Sequence, residues 1–452
     1  MTVFVSRNPR NGCQIAWRAS WQAHEIESAL VRSTAAARAW AGTDMATRQT
    51  ALRSLAAAIR TGASTLVTQI EVEVGKLHHE ALDEVTRCAK WCDFLADHAM
   101  GWLADERNTT GIVARQAHGV VLAITPWNYP LWQILRPVAA ALAAGNAVLV
   151  KPSESVSATA SLFEVIARDV LPPHLVQCLW TDELDTRRAI AHPAVDMVVC
   201  TGSETTGRQI ATLAAHHLKP AVLELGGNNA FIILDDADID AAARAAADSR
   251  CLNVGQACTA AKRLIVHRTV YDRFCDALLN HLGHYRCGET LAPLARESVR
   301  DRLDLQVRVS RQQGARCLLG GAIPARPGFF YPPTVLDQVA ADMPVVEEEV
   351  FGPVLTLDGV GDDHAAITLA NSVRQALACS VWSADRDRAA HMASQLRAGM
   401  RCINQRPTSR FELPFAGVGA SGYGSTLGRD GLLAFTRPVA YLSLPASTGA
   451  LA

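Results

Sequence analysis

Gly119-Val120-Val121-Leu122-Ala123-Ile124-Thr125-Pro126-Trp127-Asn128-Tyr129-Pro130 is the stretch on which the fold turns. An apolar, partly β-branched run, Val120–Ile124, stops at a turn bounded by two prolines. Short apolar runs bounded by turn residues read as buried strands. The pattern recurs downstream at Ala147–Val150, Met197–Cys200, Ala221–Leu223, Phe231–Leu234 and Leu264–Val266, with helical segments between. This alternation predicts an α/β fold with mostly parallel sheets. The alanine-rich segments Asp240–Asp248 and Arg388–Leu396 read as covering helices.

Upstream, residues 21–105 read as helical. Leu52, Leu55, Ile59 and Leu66, Ile70, Val74 recur at helical spacing. Gly111–Val121 is poor in helix signals and reads as a pair of short strands. At the other end, Val439–Leu444 reads as a late strand of the kind that pairs with a partner subunit.

The chain has 452 residues. Ordinary domains hold roughly 100–200, so two or three packed units are expected. Its 43 basic and 44 acidic residues nearly cancel, which argues against nucleic acid or an anionic membrane as partner. The longest apolar candidate, Pro137–Val150, contains Asn146 and is too short to span a bilayer. The N-terminus lacks an apolar core of signal-peptide length, so a cytoplasmic protein is expected. Twelve cysteines are scattered singly, and Cys88 and Cys92 form the one close pair. That suits a reducing compartment and predicts no metal site.

Six stretches carry chemistry. Asn128 follows a strand, where ligands of α/β folds bind. Its amide is either an oxyanion donor or a helix cap. Lys151 and Glu154 in Lys151-Pro152-Ser153-Glu154 either hold ribose hydroxyls or are solvated charges. Thr201-Gly202-Ser203-Glu204 is a strand, a turn and a helix start, either cradling phosphate or capping the helix. Glu224 in Leu223-Glu224-Leu225-Gly226-Gly227 is poorly solvated, either as a base of raised pKa or as a structural carboxylate. Cys258 lies in a polar turn followed by Lys262 and Arg263, so it either gains thiolate character or is structural. Glu347-Glu348-Glu349-Val350-Phe351-Gly352-Pro353 is either a solvated acidic run or a place where Phe351 packs on a flat ring.

In order and approximate spacing, the six stretches resemble the aldehyde dehydrogenase superfamily, from about Asn8-Pro9 to the C-terminal strand. The resemblance implies a nucleophilic Cys258. It implies an oxyanion hole made by Asn128 and the Cys258 N–H, with Glu224 as the base that activates water. It further implies that Lys151 and Glu154 hold the adenine-side ribose and that Gly202 and Ser203 lie by the pyrophosphate. Glu349 would hold the nicotinamide ribose and Phe351 pack by the nicotinamide, with Thr125, Trp127 and Leu225 bordering the cofactor. The implied cofactor is NAD+, with NADP+ tolerated: Glu154 competes with a 2′-phosphate, while Lys151 attracts one.

Leu131-Trp132-Gln133, Thr201-Gly202-Ser203-Glu204 and Gly328-Phe329-Phe330-Tyr331-Pro332-Pro333 resemble the succinate-semialdehyde dehydrogenase branch. That resemblance implies Arg136 for the substrate's far carboxylate, with Ser409 and Arg410 as further contacts. Leu252, where some members place a second arginine, Asn228-Asn229 and Pro414-Phe415-Ala416-Gly417-Val418-Gly419 depart from the pattern. Another semialdehyde or an aromatic aldehyde is therefore the alternative substrate. A non-catalytic dinucleotide-binding protein and an acylating enzyme that uses coenzyme A are the rival functions, and Glu224 argues against the second. The expected division is a dinucleotide-binding domain of residues 1–106 and 119–225, a catalytic domain of 226–420, and an oligomerisation arm of 107–118 and 436–446. The arm implies a homodimer or homotetramer.

Overall fold

A computed structural model of the chain describes residues 2–442. Four helices, α1 (Ala23–Ala41), α2 (Met45–Thr61), α3 (Ala63–Val74) and α4 (His78–Trp102), occupy the segment expected to be helical. Before them lies a hairpin, Val3–Arg7 with Gln14–Ala19, that the sequence reading does not anticipate. Asp44 caps α2 by accepting the Thr47 N–H at 2.8 Å, and Gly75 ends α3 at φ 82°.

The first large sheet has six strands. Its spatial order is Gly422–Tyr423, Ala221–Glu224, Met197–Thr201, Val120–Ile124, Ala147–Lys151 and Val176–Cys178. All neighbours are parallel except Gly422–Tyr423. Helices α5 (Pro130–Ala143), α6 (Ser157–Val170), α7 (Glu183–Ala191) and α8 (Glu204–His216) link its strands. Strand order reverses beside Val120–Ile124, so a crevice opens beyond the carboxyl ends of that strand and Met197–Thr201. Thr125–Asn128 and Gly202–Ser203 follow those ends directly.

The second large sheet has seven strands and is built around Ala230–Ile233, with Arg263–His267 on one side and Ala378–Trp382 on the other. Its strands are parallel except for Arg316–Leu319 at one edge. Leu225–Asn229 carries the chain from the first sheet to the second. Gly422–Tyr423 brings it back, pairing with Leu223 and Glu224. Residues beyond 420 thus join the first sheet. The architecture is the expected α/β fold with parallel sheets.

A third sheet joins Glu106–Asn108, Gly111–Ala117 and Thr436–Leu442, all antiparallel. Residues 443–446, the rest of the expected arm, lie outside the described residues, as does the end of the late strand expected to reach Leu444. Among the described residues no helix is long and apolar enough to cross a membrane.

Candidate active site

Helix α9 (Ile239–Cys251) ends in a tight turn, Leu252–Gly255, before Cys258. Asn253, Val254 and Gly255 have φ of 49°, 49° and 76°. A β-branched residue in the left-handed region is strained by roughly 1–3 kcal/mol, so the surroundings must hold it. They do so with buried polar bonds. Glu80 Oε1 accepts the Asn253 N–H at 2.6 Å. Asn253 Nδ2 donates to the Asn128 carbonyl at 2.8 Å. Arg250 is fully buried and donates to the carbonyls of Ala261, Gly255 and Val350 at 3.0, 2.9 and 3.0 Å. Asn229 Nδ2 donates to the carbonyls of Cys258 and Ala260 at 2.6 and 2.9 Å.

The loop is thereby bolted to the strand-end turn that carries Asn128. The Asn128 amide donates to the Gln256 carbonyl at 2.9 Å, and its Oδ1 accepts from Gln133 at 3.4 Å. A primary amide has two N–H donors, so one is left for a substrate oxygen.

Cys258 is half-buried. Burial, with the charge of Glu224 adding, pushes its thiol up to about 11, while Lys262 and Arg136 pull the other way. The resting thiol is therefore protonated near neutrality and needs a base. Glu224 ends the strand Ala221–Glu224 and is buried. Burial raises its pKa, opposed by Arg136 and by the Thr426 hydroxyl, which donates to Oε1. Arg136 Nη2 is in ion-pair contact with Glu224 Oε2. It also reaches Gln133 Oε1 at 3.1 Å and Thr201 Oγ1 at 3.0 Å. The cluster thus holds a thiol, a carboxyl of raised pKa and an amide donor, the set needed for nucleophilic attack on a carbonyl and later hydrolysis.

The expected cofactor residues border the crevice. Thr125 is buried, and its hydroxyl has no hydrogen-bond partner. The Trp127 and Phe351 rings meet edge to face at 5.6 Å. Burial lowers the pKa of Lys151, opposed by Glu154. Glu349 Oε1 accepts from Lys262 Nζ and from the Gly227 N–H at 3.2 Å. A Cβ on Gly226 would overlap Glu349 Oε2, so glycine is needed there for close approach. Ser203 caps α8 by accepting the Thr206 N–H at 3.2 Å. Leu225 packs over Gly207 of that helix, where a Cβ would fall 2.4 Å from its side chain. An orphaned hydroxyl, a helix N-terminus and a desolvated lysine at one sheet edge fit the ribose and phosphate groups of a dinucleotide.

The three expected substrate residues are placed differently. Arg136 faces Glu224. Ser409 accepts from Arg87 Nη2 through its carbonyl at 3.0 Å and its hydroxyl at 2.8 Å. Arg410 is exposed, as is Leu252.

Sequence reasoning misses the polar frame that α4 supplies. Glu84 Oε1 accepts the N–H groups of Leu131 and Trp132 at 2.9 and 3.0 Å, which caps α5. Its Oε2 pairs with Lys76 Nζ at 2.5 Å, both side chains fully buried. Lys76 Nζ in turn lies 3.5 Å over the Tyr129 ring. A signal is visible in hindsight: Glu80 and Glu84 sit one turn apart in the same stripe as Ala81, Val85 and Cys88. Acids on an apolar face require buried partners. Thr426 and Arg87 are likewise missed, whereas Lys262, read from the sequence beside Cys258, also pairs with Glu349.

The model of the aldehyde dehydrogenase family matches residues 2–440. A succinate-semialdehyde dehydrogenase [NADP(+)] of Deinococcus radiodurans is 37% identical over 96% of this chain and 93% of its own. A succinate semialdehyde dehydrogenase [NAD(P)+] of Escherichia coli is 35% identical over 96% of each. The crystal structure of succinic semialdehyde dehydrogenase from Streptococcus pyogenes, in complex with NADP+, superposes with a TM-score of 0.93 at 31% identity. It covers 97% of this chain and 100% of that one.

Proposed function

We propose, for a chain that belongs to the aldehyde dehydrogenase family, the oxidation of succinate semialdehyde to succinate through Cys258. Family membership makes it an NAD(P)-dependent oxidoreductase of aldehydes. The observation that carries the substrate reading is the likeness of the whole chain to relatives named for succinate semialdehyde, 37% and 35% identical over 96% of it. Beside the Arg136–Glu224 pair a second guanidinium, Arg87, acts on Arg136, and such a cation favours an aldehyde with an anionic tail.

Cys258 gives its thiol proton to solvent water, and its sulfur adds to the aldehyde carbon. The resulting alkoxide oxygen takes the free Asn128 N–H and the Cys258 N–H. A bound nicotinamide would supply the acceptor for the hydride that this adduct gives up, which leaves a thioester on Cys258. Glu224 then takes a proton from water, hydroxide attacks the thioester carbon, and the acid departs with Cys258 restored. Lys151, Glu154, Gly202, Ser203, Glu349 and Phe351 would hold the dinucleotide, with Thr125, Trp127 and Leu225 lining its cleft.

Both NAD+ and NADP+ are proposed as cofactors. Glu154 is exposed and opposes a 2′-phosphate, but Lys151 and Arg296 lie beside it. Relatives named for NADP+ shift the expected NAD+ preference toward dual use.

A homodimer or larger assembly is proposed through the sheet of Glu106–Asn108, Gly111–Ala117 and Thr436–Leu442. Tyr441 and Leu442 stand exposed on its terminal strand. An unpaired apolar strand edge is a pairing surface. Light scattering coupled to size exclusion tests it.

An aromatic aldehyde is the second reading, favoured by the stacked rings of Trp132 and Phe411 at 6.0 Å. Absorbance at 340 nm with succinate semialdehyde, glutarate semialdehyde, butanal and benzaldehyde decides. Preference for the semialdehydes supports the first reading. Equal or better turnover of benzaldehyde replaces it with the second.

A further inference from the structure

Arg136 is committed to Glu224, yet it is not the sole guanidinium in this wall. Arg87, on α4, is half-buried and lies against the aromatic surface formed by α5 and the loop before Phe415. Its guanidinium stacks 4.3 Å over Trp132 and 5.6 Å from the Phe411 ring. Both Ser409 bonds come from Nη2. The Nε–H is buried and has no partner. A guanidinium has five N–H donors, so most of this fork is oriented but unspent.

The charges around it point the same way. The groups that act on Arg87 are Cys88, Tyr129, Arg136 and Arg410, and no carboxylate is among them. Tyr129 and Cys88 are buried groups that stay neutral, since burial raises the pKa of each. Arg136 and Arg410 therefore both act on Arg87, while Arg136 is held by Glu224 and the buried acid three residues back on α4, Glu84, is held by Lys76. A half-buried cation without a counter-ion is a ready acceptor for an anion, because binding relieves both its desolvation and its repulsion by neighbouring cations.

Trp132 and Arg136 are four apart on α5, so they share a helix face and stand about one 5.4 Å turn apart. Arg136 also lies 5.6 Å from the Phe415 ring, just beyond the loop that carries Ser409 and Phe411. Arg87 thus lies against the residue one turn from Arg136 on α5, acts on Arg136, which contacts Glu224, and is the more exposed of the two.

Resting on the semialdehyde reading above, we propose that Arg87 is a specificity-determining residue, whose fork, aimed by Ser409 and Trp132, receives the far carboxylate of an ω-carboxylated aldehyde. Arg136 stays on Glu224, and the two arginines divide the work of binding the tail and keeping the base ionised.

The test is the ratio of kcat/KM for succinate semialdehyde to that for butanal, in wild type, Arg87→Met and Arg87→Lys. Losing charge-assisted bonds should lower the ratio by about 10–100-fold in Arg87→Met, chiefly through KM. Arg87→Lys should recover part of it, having the charge without the fork. Stabilisation of the free enzyme by succinate in thermal melts should weaken in parallel. An unchanged ratio in Arg87→Met, when wild type clearly prefers the semialdehyde, overturns the role of Arg87 and leaves the substrate reading intact. No wild-type preference overturns both. If Arg87→Met does not fold, Arg87→Gln, which keeps a donor for Ser409 but no charge, gives the same comparison.

Discussion

Arg136 and Glu224 form an ion pair with side chains 4% and 3% exposed, joining α5 to the end of the strand Ala221–Glu224. The arginine is the main force that opposes burial in setting the charge of the carboxylate. The base of the reaction is thus tuned by a residue that the resemblance assigns to substrate. A substrate carboxylate can reach Arg136 only by displacing Glu224.

Removing the arginine therefore should act on pH dependence. In Arg136→Leu, Glu224 loses its counter-ion and its pKa rises further. Turnover requires the ionised base, so the acid limb of kcat should move to higher pH. Butanal is the substrate to use, because it has no carboxylate whose binding the substitution could disturb at the same time. Stability follows with a definite sign. A carboxyl whose folded pKa is raised above its unfolded value takes up a proton on folding, so it stabilises at low pH and loses that as pH rises. The variant should lose about 3–5 kcal/mol at pH 8, as for a broken buried pair, and less at pH 6. Melting curves at the two pH values check this, and identical shifts would reject the coupling.

Glu224→Gln should separate two properties of Cys258. Loss of a general base should cost kcat roughly 10²–10⁴-fold. The negative charge of Glu224 also raises the thiol pKa, so the neutral glutamine should lower it from about 11. Alkylation of Cys258 by iodoacetamide, followed from pH 7 to 10, should become faster in the variant even as turnover collapses. Slower alkylation would instead mean that Glu224 removes the thiol proton during the reagent's attack.

Gly255→Ala should damage the nucleophile's position. The site has φ 76°, and an added Cβ would stand 2.4 Å from the Gly352 carbonyl oxygen. Moving backbone three residues from Cys258 by about 1 Å is expected to cost on the order of 10²-fold in kcat. Cofactor affinity, measured by tryptophan fluorescence, should change far less. Equal losses in both would indicate general misfolding.

Glu154→Ser should shift cofactor choice. It removes the carboxylate that acts most strongly on Lys151, ahead of Asp182 and Glu183, while the lysine stays. Binding of NADP+ should tighten by about tenfold relative to NAD+, a modest gain because Glu154 is exposed to solvent. Fluorescence titration with each dinucleotide measures the ratio directly, and no shift would place the 2′-position elsewhere.

The α/β pattern was legible because it is local. Apolar runs of three to five residues, the turns after them and helical periodicity are properties of short stretches. Cys258, Glu224 and Asn128 each stand in such a stretch, at a strand end or in a loop, where a motif can be read without knowing its neighbours. The strand Ala221–Glu224 even extends one residue past its expected end, to the glutamate itself. The N-terminal hairpin escaped notice because its strands alternate weakly: Trp17 is 66% exposed. The supports of the site escaped for a different reason. Glu80 holds Asn253 across 173 positions and Glu84 caps α5 across 47, so neither partner is visible from the other. Arg136 and Arg87 make the point most plainly. Linear sequence determined that both are arginines on helices, one of them in a recognisable motif. Only the tertiary structure decided that Arg136 is neutralised by Glu224 and Arg87 is not, because a buried charge takes its meaning from whichever opposite charge the fold brings within reach.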